Sequence, residues 1–107
     1  MSGNWHLEFH TAARSEALHL PLDMQARLER LAHLITTYGL RQLPPKAVKH
    51  IDDDLWELRI KGKDGIARAF YVTRVGRRLV ILRIYVKKTQ KTPLNEIWLA
   101  KQRAREV

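Results

Sequence analysis

The chain predicts an α+β fold: one small domain of order β-α-α-β-β-β-α, an antiparallel sheet with its helices packed on one face. Three observations predict it. Residues 55–87 form three successive segments in which apolar residues alternate with Arg and Lys, joined by short glycine-containing turns. Two helical patterns precede these segments and one follows. The 107 residues suffice for a single domain over 1–107 with one modest core, and no repeat or low-complexity tract marks a second.

Each element has its own signature. From Trp5 to His10, Trp5, Leu7 and Phe9 alternate with His6, Glu8 and His10, as in a half-buried strand. Ala12 to Leu20 reads as a short helix with Ala13, Ala17 and Leu20 on one stripe, interrupted by Pro21. A longer helix is expected from Asp23, as N-cap, to Tyr38. Leu28, Leu31, Ile35 and Tyr38 follow its buried stripe, and Gly39 stops it. Leu40 to Asp54 reads as a connector, because Pro44-Pro45 blocks helix and central strand alike, and Asp52-Asp53-Asp54 reads as a solvated turn. The meander strands are Leu55–Lys61, Ile66–Arg74 and Leu79–Lys87, with turns at Gly62–Gly65 and Gly76. Thr92 is expected to cap the last helix with Pro93 in its first position, and Ile97, Ala100 and Ala104 to face the sheet.

Composition narrows function. The chain has no cysteine, which excludes disulfides, thiolate zinc sites and a thiolate nucleophile. No apolar run approaches the roughly 20 residues of a membrane helix, and no leader pattern is visible, so a soluble cytoplasmic protein without membrane contact is expected. The net charge of +9 is placed unevenly. Residues 1–54 carry six Lys or Arg against seven Asp or Glu; residues 55–107 carry fourteen against four. Such a concentrated basic half draws phosphates by Coulomb attraction and counterion release, which favours nucleic-acid or ribosome contact over a merely soluble basic protein.

Strand parity groups the cations. Glu57, Arg59 and Lys61 share one side of their strand; Arg83, Tyr85 and Lys87 share one side of theirs. Arg68 has the parity of Phe70 and Val72, so the face it reaches stays open. The expected product is a concave basic groove between the Lys87–Lys91 loop and the Gly62–Gly65 turn. There Arg would grip phosphate and Tyr71 or Tyr85 would stack on an unpaired base. The simpler alternative is the wet face of an amphipathic sheet. No phosphate-binding glycine loop, His-Glu-x-x-His or Gly-x-Ser-x-Gly is present. His6, His10, His19, His33 and His50 are scattered, and no carboxylate pair in the basic half would hold magnesium, so neither metal nor cofactor is expected. RNA can still be cut without them, since it carries its own nucleophile, the 2′-hydroxyl. Clustered cations stabilise the transition state, and a lysine crowded by cations has its neutral form favoured.

Three stretches resemble a known family: Glu57-Leu58-Arg59-Ile60, Arg68-Ala69-Phe70-Tyr71, and Val86-Lys87-Lys88-Thr89-Gln90-Lys91-Thr92-Pro93 followed by Glu96-Ile97. They are similar to the RelE/HigB-type toxins of toxin–antitoxin modules, and more narrowly to their phage-derived HigB-like branch. The resemblance implies a metal-independent endoribonuclease that enters the A site of the 70S ribosome and cleaves translated mRNA. It also implies a partner antitoxin, HigA-like and carrying a helix-turn-helix. By motif position it implies Arg59 and Arg68 on the phosphate and Lys87 or Lys88 as proton mover or transition-state clamp. Lys61, Lys63, Arg83, Tyr85 and Lys91 are then the expected RNA contacts. Ala67 stands where many relatives have Tyr, and Arg83 where many have His. The superfamily also holds ParE-type gyrase inhibitors, and a third possibility is an inactive module that binds only antitoxin or RNA.

Overall fold

The computed structural model describes residues 5–88 and 90–107. Thr89, inside the basic motif, lies outside the described residues. Strand β1 (His6–Phe9) leads into helices α1 (Thr11–Leu18) and α2 (Leu22–Tyr38), then strands β2 (Val48–Asp52), β3 (Leu55–Gly62), β4 (Gly65–Arg74) and β5 (Arg78–Val86), and helix α3 (Leu94–Ala104). The sheet order is β1-β5-β4-β3-β2. The α+β class and the three-strand meander stand as predicted.

The details differ in four ways. The connector contains a strand: after two single 3₁₀ turns, β2 pairs antiparallel with β3 at the sheet edge. Strand β1 runs parallel to β5, from His6↔Arg78 to Phe9↔Ile81, so the sheet is mixed. Helices cover both faces. Helices α1 and α2 bury Ala13, Met24, Leu28, Leu31 and Ile35 against Leu58, Ile60, Ala69 and Ile81; Ala100 of α3 packs on Phe70, Val72, Val80 and Leu82 on the other side. Finally, Tyr38 ends its helix 55% exposed instead of continuing the buried stripe.

The helix ends also depart from expectation. Pro21 occupies the N-cap of α2, and Asp23 sits in its first turn. There its Oδ2 accepts the Lys63 backbone N–H at 2.7 Å, tying the helix start to the β3–β4 turn. A Cβ on Gly62 would stand 2.8 Å from that same oxygen and 2.8 Å from Met24 Cγ, so any larger residue must displace Asp23 or Met24. Pro93, not Thr92, is the N-cap of α3. This frees the Thr92 hydroxyl for a different partner.

A bulge in β5 settles the face assignments. The register steps from Phe70↔Arg83 to Tyr71↔Ile81, which inserts Leu82. Val80 and Leu82 before the bulge, and Arg83 and Tyr85 after it, therefore serve the α3 side together. That face is apolar beneath α3 and polar beyond it.

Candidate nucleic-acid interface

The polar half of this face is built by register. Arg59, Arg68 and Tyr85 stand opposite one another across β3, β4 and β5, and Lys49, Glu57, Phe70 and Arg83 form the adjoining row. Lys49 comes from β2, so reading that stretch as a connector hid it. The alternation of Val48, His50 and Ile51 with polar neighbours is too weak to reveal it.

Two of the expected contacts are fixtures of the fold. Arg68 is only 2% exposed and Glu57 is 0%. Arg68 Nη1 lies 3.2 Å from Glu57 Oε2, in Coulombic contact but off the hydrogen-bonding direction, for neither Glu57 oxygen has a hydrogen-bond partner among the described residues. The guanidinium also donates to the Thr92 hydroxyl and, at 3.1 Å, to the Gln90 carbonyl. Arg68 thus ties Gln90 and Thr92 to the sheet; in this arrangement it meets no phosphate. Arg83 is also taken. It grips Glu96 with Nε and Nη2 at 2.8 and 3.0 Å, and Glu16 with Nη1 at 2.7 Å. Glu16 further accepts Arg103 at 2.9 Å and the Ile84 backbone N–H at 3.1 Å, where β5 has run past its pairing with β1. Burial would raise the Glu16 pKa, but Arg103, Ile84 and Arg83 outweigh it and hold the carboxyl below its ordinary value. The Glu96 and Glu16 carboxylates hold Arg83 protonated more firmly than usual. Arg83 therefore clamps α1, β5 and α3 together, and its charge is neutralised.

Neither tyrosine offers an open stacking face. Tyr71 is 3% exposed on the α2 side, and burial pushes its hydroxyl pKa up to about 12. Tyr85 packs between Phe70, 5.9 Å between centroids, and the Arg83 guanidinium, 5.6 Å from its ring. Its hydroxyl is buried without a hydrogen-bond partner among the described residues.

On this face Arg59, Lys49, Lys87 and Lys88 have no carboxylate in ion-pair contact among the described residues. Lys87 is half-buried and donates to Gln90 Oε1 at 3.3 Å; Lys88 is exposed. Desolvation, then the charges of Arg68 and Arg59 and more weakly Lys49, lower the Lys87 pKa against the opposing pull of Glu57. Arg83, Tyr85, Lys87, Lys88, Lys91, Pro93 and Glu96 border an open cleft of about 410 Å³. Arg59 and Lys61 open instead onto the β3 edge, and Lys63 sits exposed in the β3–β4 turn. Among the described residues no three His, Asp or Glu side chains converge as metal ligands. No helix among them is long and apolar enough to cross a membrane.

Comparison with known proteins adds one finding. The family model described as "Phage derived protein Gp49-like (DUF891)" matches residues 15–105, from α1 to the end of α3. No curated protein matches the chain.

Proposed function

We propose that this chain, which belongs to the phage-derived Gp49-like family of RelE/HigB-like toxins, is the toxin of a type II toxin–antitoxin module and cleaves mRNA on the ribosome. The observation that carries the proposal is Lys87: a lysine bordering the basic cleft, its neutral form favoured by desolvation and then by the Arg68 and Arg59 charges beside it. In its neutral form the Lys87 amine accepts the proton of an RNA 2′-hydroxyl. The 2′-oxygen attacks the adjacent phosphorus and the bond to the 5′-oxygen breaks, leaving a 2′,3′-cyclic phosphate. Protonated Lys88 supplies the proton to the departing 5′-oxygen. Arg59 carries the added negative charge of the pentacovalent phosphorus. Arg68 acts as a positioning residue: through Thr92 and Gln90 it sets the loop that bears Lys87 and Lys88.

The partners follow from this reading: the ribosome with its mRNA, and an antitoxin that covers the basic face. A cytoplasmic location goes with them. Toeprinting of a translating ribosome with the purified chain tests it. The expected result is a new 3′ end within the A-site codon. No new end, together with inhibition of gyrase supercoiling, would replace the proposal with a gyrase-directed toxin.

A further inference from the structure

A second basic cleft lies beyond Arg59, on the β2 side. Strand β2 pairs with β3 only up to Val48↔Leu58, so Arg59 to Lys61 face the Pro45–Ala47 turn instead of a strand. Arg27 of α2, Lys46 of that turn, and Arg59 and Lys61 of β3 line a cleft of about 400 Å³ whose remaining wall is Pro44, Pro45 and Ala47. No carboxylate lines it. The four cations have no ion-pair partner among the described residues, and the Arg59 Nε is buried without a hydrogen-bond partner. By contrast, Arg74, Arg78, Arg83, Lys101 and Arg103 each reach a carboxylate. Four like charges held around one cleft by three separate elements repel each other unless an anion bridges them.

We propose that this cleft is a second phosphate-binding subsite, which holds the backbone of a single-stranded RNA whose neighbouring phosphate lies at Arg59 and Lys87. It rests on the RNA reading above and names where the flanking strand runs. Arg59 lines this cleft and its charge also acts on Lys87, so one backbone would pass from the loop to the cleft by way of Arg59. The proline wall gives a sugar an apolar surface to lie on. An acidic protein segment is the competing occupant, and contiguity with the phosphate site favours RNA.

The test uses the full chain and its Arg27→Gln/Lys46→Gln variant, after melting curves establish that both are folded. Two uncleavable 2′-O-methyl single strands serve as probes, of about three and about twelve nucleotides, with anisotropy read from about 50 to 200 mM KCl. For the long probe, the slope of log K against log salt falls by about 1.4, since each single-strand phosphate contact contributes about 0.7. The short probe is unaffected, and Arg27→Lys/Lys46→Arg restores the slope. An unchanged slope with the long probe overturns the subsite, as does failure of the parent chain to bind it. Loss of polyglutamate binding with an unchanged RNA slope assigns the cleft to a protein segment instead. Failure in toeprinting with the slope change intact sinks mRNA cleavage and leaves the subsite standing.

Discussion

Replacing Arg68 by alanine looks like the obvious test of an RNA-cutting site, and the structure predicts that it destabilises the fold instead. The substitution strands Glu57, which is fully buried and has no other cation in ion-pair contact among the described residues. Removing one partner of a buried ion pair costs about 3 to 5 kcal/mol. The lost donations to Thr92 and Gln90 add about 1 kcal/mol each. Together, about 5 to 7 kcal/mol, they match the lower part of the roughly 5 to 15 kcal/mol that holds a domain folded. At about 4 to 8 °C per kcal/mol for a domain near this size, the melting temperature falls by roughly 20 °C or more. Urea unfolding followed by tryptophan fluorescence measures this directly. Glu57→Gln/Arg68→Met removes both charges and recovers most of the loss, because no carboxylate is left unpaired. A loss below about 1 kcal/mol for the single variant would refute the reasoning, and so would a double variant no more stable than the single one.

Three further outcomes are expected. Glu16→Gln lowers the urea midpoint at neutral pH and flattens its acid dependence. The Glu16 pKa is lowered on folding, so its stabilisation is present above the ordinary carboxyl range and fades as pH falls through the folded value; an unchanged profile would remove Glu16 from the Arg83 clamp. Gly62→Ala destabilises by about 1 to 2 kcal/mol, because the new methyl must push Asp23 off the Lys63 N–H or displace buried Met24; a neutral result in thermal melts would contradict the close approach. Glu57→Gln moves the Lys87 amine further down, since Glu57 opposes the neighbouring cations. Side-chain carbon NMR titration of Lys87 reads the change, and an upward move would reverse the assigned electrostatics.

Strand alternation was the legible part. It located the meander and correctly put Arg59 with Lys61 and Arg83 with Tyr85, because period two survives in β3 and β5 on either side of the bulge. Strand β2 stayed hidden because Val48–Asp52 offers only Val48 and Ile51 as strong apolar residues, and it joins β3 through a tight turn with Asp53 at φ 46°. The mixed sheet was not legible at all, since parallel pairing of β1 with β5 depends on residues far apart in the chain. At the site, residue type was readable and availability was not. Whether an arginine faces solvent or a carboxylate depends on partners such as Glu16, Glu96 and Thr92, which tertiary packing brings from other elements.

The pairing of β1 with β5 has a consequence for when this molecule exists. His6 waits for Arg78, and Phe9 for Ile81. A chain emerging from the ribosome in order holds its first strand without a neighbour until almost the last strand has been made, and the loop bearing Lys87 and Lys88 follows later still. Loop closure over so long a stretch makes this the slow step of assembly. Every shorter nascent fragment lacks both the closed sheet and the basic loop.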